Sequence, residues 1–216
     1  MGLLIVGGVA VLATVTALGL FLAATYEPGF YCEAMEVDPA VLEKGSDQML
    51  QQAAALASAV RKDPHWETLI TAEQINGWLA VDMVKNHPNA LPAMLRDPRV
   101  VIDSKRITIA CRLEQDGIHS VLSLTVEPYM PKPNVVALRI VKARAGLLPA
   151  PLGKVLDGVK RAAREMQLHL EWLRTGDDPV ALLSLPPSDE RPVSIETLRL
   201  GDGEIYVEGS TSKKKP

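Results

Sequence analysis

Residues 3–25 read LLIVGGVAVLATVTALGLFLAAT, a run with no charged side chain. No other feature restricts the chain so strongly. Wound as a helix at about 1.5 Å per residue, the run reaches about 35 Å, enough to cross a hydrocarbon core about 30 Å thick. The expectation is a single-pass membrane anchor over residues 1–26. A cleaved signal peptide is the competing reading, but no Lys or Arg precedes the run and its length exceeds the usual apolar core of such a leader. Neither flank offers basic residues to set orientation. The segment that follows is acidic, with Glu27, Glu33, Glu36 and Asp38. This predicts a cell-membrane protein with its N-terminus inside and its domain extracytoplasmic.

Charge is unevenly spread behind the anchor. Residues 27–98 hold 5 basic and 11 acidic side chains, residues 99–174 hold 13 and 7, and residues 175–216 hold 5 and 8. The basic middle third suits an anionic surface or an acidic partner; solvated strand faces are the ordinary reading of such a bias. Nucleic acid is not an expected partner, because the nine aromatic residues do not interleave with the basic ones.

A connector over 27–37 leads to a domain over 38–209, and a tail over 210–216 is expected to be disordered. Asp38-Pro39 supplies an N-cap and a first-turn proline for a helix to about Arg61. Thr71 and Gln74 have capping-box spacing and open a second helix to about Asn86. From Arg99 the period changes to two: Ile107, Ile109, Cys111 and Leu113 alternate with Arg106, Thr108, Arg112 and Glu114. Asp116-Gly117 marks a hairpin, and Ile118 to Val126 returns. A third strand carries Val136, Leu138 and Ile140, a helix follows from Pro151 to about Met166, and a fourth strand carries Leu170 and Trp172. A last hairpin turns at Gly201-Asp202-Gly203. The predicted fold class is α+β: an N-terminal transmembrane helix, then helices packed on one curved antiparallel sheet.

No catalytic signature is present. His65, His87, His119 and His169 never fall at metal-ligand spacing, and neither a zinc motif nor a nucleophile elbow occurs. The chain is therefore expected to be non-catalytic, with no metal and no cofactor. Cys32 and Cys111 read as two unpaired thiols or as a pair oxidised outside the cytoplasm.

The stretch LITAEQINGWLAVDM holds the remaining interest. Ile75, Trp78 and Leu79 share one apolar helix face. Trp78 either plugs the sheet core or walls an apolar groove, and Asn76 is either exposed or bonded to backbone. With the N-terminal anchor, ITAEQINGWL, the alternating strands and GLLPAPL before a helix, the chain resembles the YpmS-like family of membrane-anchored extracytoplasmic bacterial proteins. That resemblance implies the same layout and, for some relatives, the holding of lipid or another apolar ligand; it implies no catalytic residues. The leading expectation is a lipid-binding groove lined by Ile75, Trp78, Leu79, Leu122, Leu124, Leu138, Ile140 and Trp172. The alternative is a structural or assembly protein of the cell envelope that docks a protein partner through a sheet edge or the acidic segment 27–98.

Overall fold

The computed structural model describes residues 14–115, 117–150, 169–175, 178–184 and 192–212, with Gly153, Asp157 and Lys160 between them. Helix α1 covers residues 14–24. Helices α2 (Gly29–Met35), α3 (Pro39–Lys62), α4 (Ala72–Ala80) and α5 (Asp82–Asn86) follow. Their start signals are local. Asp38 accepts from Ala40 N–H at 2.7 Å and Pro39 occupies the first turn of α3. At α4 both capping-box bonds form: Thr71 Oγ1 accepts from Gln74 N–H at 3.2 Å, and Gln74 Oε1 accepts from Thr71 N–H at 2.9 Å. The helix expected from 71 to 86 is broken at Val81, which separates α4 from α5.

The strands build two antiparallel sheets. The first has three strands in the order β1 (His65–Thr71), β10 (Glu204–Thr211), β9 (Val193–Gly201). The second has seven: β2 (Leu95–Ile102), β3 (Ile107–Gln115), β4 (Ile118–Lys132), β5 (Val135–Ala145), β8 (Asp178–Ser184) and β7 (His169–Thr175) in that spatial order, with the short β6 (Leu148–Pro149) on β5. β4 passes through Pro128 and Pro131, and its pairing with β5 slips between Tyr129 and Lys132, a place where a missing N–H is tolerated. Of the helix expected over 151–166, the described residues are Gly153, Asp157 and Lys160, and all three are helical.

Two expectations are corrected. The first is the single curved sheet. The inner side of α3 is covered by β1, whose Trp66 and Thr68 are buried, and Gln52 Nε2 donates to Thr68 Oγ1 at 2.8 Å. The C-terminal hairpin pairs with that strand and not with the larger sheet, so the helices divide between two sheets. The second is the membrane anchor. Among the described residues no helix is long and apolar enough to cross a membrane. The described part of the apolar run, 14–24, reaches about 16 Å as a helix, roughly half a hydrocarbon core; residues 1–13 lie outside the described residues. The transmembrane helix, the membrane as a single-span partner, and the extracytoplasmic, signal-anchored localisation are set aside with it.

Glycine lets the helices touch. A Cβ on Gly77 would lie 2.4 Å from Ser46 N and 2.5 Å from Leu42 O, so α4 crosses α3 backbone on backbone. The sheets are then tied together through α4 and two turns. Asn76 is bonded to backbone: its Nδ2 donates to Val100 O at 2.8 Å and its Oδ1 accepts from Val100 N–H at 2.7 Å. One side-chain amide thus stands in for a neighbouring strand at the free edge of β2. Gly203 N–H donates to Ile102 O and Gly203 O accepts from Ala72 N–H, joining the β9–β10 turn to β2 and α4. Asn134, at φ 62, does the same at the β4–β5 turn, donating its N–H to Ile195 O and accepting from Ile195 N–H.

Asn76→Ala is expected to cost about 2 kcal/mol, because it strands the N–H and C=O of the buried Val100. Urea denaturation of the two proteins measures it. A loss under about 0.5 kcal/mol would show that water replaces the amide and that the edge is not closed by Asn76.

Candidate functional site

The eight groove residues of the sequence reading fall into two groups. Ile75, Trp78 and Leu79 are on α4, which packs against α3, β1, β2 and α5. Trp78 is half-buried with its ring 6.1 Å from that of His87. Leu122 and Leu124 are on β4, Leu138 and Ile140 on β5, and Trp172 on β7. In the antiparallel register Pro128, Leu138, Ala181 and Trp172 form one cross-strand row. Trp172 Nε1 is buried with no hydrogen-bond partner among the described residues. A cleft of about 340 Å³ lies elsewhere, between α5 and the start of β2, walled by Met83, Val84, Leu91 and Leu95 with His87 and Asp97 at its rim; none of the eight lines it. Beside it Asn86 Nδ2 donates to Asp82 Oδ1 at 2.6 Å, but the lining holds no hydroxyl, thiol or amine nucleophile.

The surface that departs most from an ordinary protein exterior is α1. Val15, Leu18, Leu20, Phe21 and Leu22 are each more than half exposed, at 54–62%. Isolated exposed apolar residues are normal; five within residues 14–24 mark a contact surface. The root of this helix is held firmly. Leu147 N–H donates to Ala23 O at 2.8 Å and Ser120 Oγ donates to Ala24 O at 2.6 Å, satisfying carbonyls that a helix end leaves open. The carbonyls rest on the turn at Gly146, whose φ is +58 and where a Cβ would lie 2.4 Å from Ala23 O.

The next turn of chain adds a second fixing. Tyr31 of α2 is fully buried against Ala110 and Val121, and its hydroxyl donates to Asp97 O at 2.8 Å. A slip in the β2–β3 register and a positive φ at Asp97 present that carbonyl. Burial, then the Asp97 carboxylate, push the Tyr31 phenol up to about 12. Arg99, also buried, donates from Nε to Ala34 O at 3.1 Å and so closes the C-terminal end of α2. Ser120, Gly146, Leu147, Tyr31 and Arg99 were not readable as a unit, since the socket is assembled from residues about a hundred positions apart. Cys32 and Cys111 are free, and burial pushes the Cys111 thiol up to about 11.

No protein family, curated protein or solved structure matches this chain. The resemblance to the YpmS-like family is therefore withdrawn: its wording rested on short motifs, and its membrane-anchored layout fails with the absence of a spanning helix among the described residues. The lipid-binding groove on an anchored domain goes with it.

Proposed function

We propose that this chain is a structural or assembly module that docks a protein partner, without catalysis, through the apolar helix α1. The observation that carries the reading is the exposure of Val15, Leu18, Leu20, Phe21 and Leu22 on a helix whose root is bonded to Leu147 and Ser120. A helix fixed at its base presents its side chains with little ordering left to do, which favours affinity. Helix-in-groove recognition uses residues spaced as Leu18, Phe21 and Leu22 are.

The test places a photo-crosslinking amino acid at Leu18 and, as a control, at the exposed Lys62 at the far end of α3. A discrete protein adduct is expected from position 18 alone. Phe21→Glu should cut its yield about thirtyfold, the roughly 2 kcal/mol of a buried aromatic anchor. The same adducts from both positions, or co-flotation of the chain with phosphatidylcholine vesicles, would refute the reading.

A further inference from the structure

One face of β3, β4 and β5 is covered by α2 at one end and carries charged side chains beyond it. Cross-strand pairing sets Ser123, Thr125 and Glu127 of β4 against Arg144, Lys142 and Arg139 of β5, and Val121, Ser123 and Thr125 against Arg112, Ala110 and Thr108 of β3, with Arg112 paired to Glu27 and Asp97. Arg106 and Arg139 both bond Glu127, whose carboxyl Arg139 and then Arg106 hold below the usual carboxylate range. Lys142 is exposed and Arg144 half-exposed, and Glu127 is the only acid among the described residues of this strip. At the other end of the same face, α2 lies on Ala110 and Val121. Its outer side and the start of α3 expose Glu33, Glu36, Asp38, Glu43 and Asp47, with Lys44 the one base among them. Arg144 and Lys142 stand opposite Ser123 and Thr125, two and four positions from Val121, so the basic strip lies about 7–13 Å along the strand from the foot of α2.

A face with an acidic ridge beside a basic strip complements itself under a two-fold rotation, the ridge of each copy meeting the strip of the other. We infer that this face pairs with a second copy of the chain in an isologous dimer: Glu33 and Glu36 of each copy meet Lys142 and Arg144 of its partner. The surface adjoins the root of α1, where Arg144 Nη1 donates to Leu147 O at 3.3 Å, but it uses none of that helix's exposed side chains, and the inference stands without the docking role assigned to them.

Sedimentation equilibrium of the full chain tests it, run in a Leu18→Glu/Phe21→Glu background so that contacts of α1 do not contribute. A dimer is expected at 50 mM NaCl, with its dissociation constant raised at least about tenfold at 500 mM, as screened exposed charges require. Lys142→Glu/Arg144→Glu and Glu33→Lys/Glu36→Lys should each be monomeric, and an equimolar mixture of the two should dimerise again. That recovery also shows both variants to be folded. A monomer at 50 mM, or a dimer indifferent to salt and to both reversals, overturns the inference. So does a monomer that binds polyglutamate through Lys142 and Arg144, which would put a foreign acidic segment on the strip.

Discussion

Trp66→Ala is expected to lower the free energy of unfolding by about 4 kcal/mol, the upper part of the range for removing a large core side chain. Trp66 is 7% exposed and is the second residue of β1, the strand that joins α3 to the C-terminal hairpin. Its Nε1 donates to Thr211 Oγ1 at 3.2 Å, and that hydroxyl donates onward to Val60 O at 2.8 Å, at the end of α3. The ring lies so close over Gly209 that a Cβ there would stand 2.3 Å from Cζ2. Glycine at that bulge is therefore part of the ring's seat, and the cavity left by alanine is lined partly by backbone that cannot collapse into it. Trp66→Phe keeps most of the ring volume and loses the bond to Thr211, so about 1–2 kcal/mol is expected. Chemical denaturation separates the two. Equal losses for both would mean that the hydrogen bond, and not the packing, carries the strand.

Gly77→Val should cost about 3 kcal/mol or more, the strong end of overpacking. The Cβ would sit within 2.6 Å of three backbone atoms of α3, at Ser46, Leu42 and Gly45, and backbone inside a helix cannot rotate aside as a side chain can. The helices must part. Because Asn76 is the next residue, parting α4 from α3 also pulls at the two bonds to Val100. Gly77→Ala gains about 1 kcal/mol of helix propensity and should still be destabilised. Gly29→Ala is the control, since a Cβ there meets nothing within 4 Å; its stability should stay within about 0.5 kcal/mol. Thermal melts of the three rank them. A Gly77→Val protein as stable as Gly29→Ala would mean that the helices do not cross at this point.

What could be read in the sequence is what local chemistry decides. The capping box at Thr71 and Gln74 forms as its spacing says, and the alternation in 107–113 becomes β3. The two-residue hairpin is closed by the pair Gln115 and Ile118, with Gly117 at φ +77. β1 was missed although HWETLIT alternates, because seven residues between two helices look like a linker until the partner strand near residue 205 is known. For the same reason one sheet was expected where there are two. α2 was taken as connector, since its one buried anchor, Tyr31, is recognisable only from Asp97, Ala110 and Val121. At the candidate site the apolar run was conspicuous, but length alone suggested a bilayer. The socket for its end, at Ser120, Gly146 and Leu147, carries no local pattern at all. Asn76 caught the eye only as the neighbour of Trp78, and its use as an edge cap depends on where Val100 falls.

The pairing of β1 with β10 has a consequence for the ribosome. Trp66 and its hydrogen-bond partner Thr211 are separated by 145 residues. At roughly 5–20 residues per second, translation keeps the indole waiting about 7–30 s for its partner. Throughout that time β1, an edge strand, lies against α3 without its one strand neighbour, β10. The smaller sheet therefore cannot form until Glu204–Thr211 has been made, and a truncation that removes those residues leaves β1 without its strand partner.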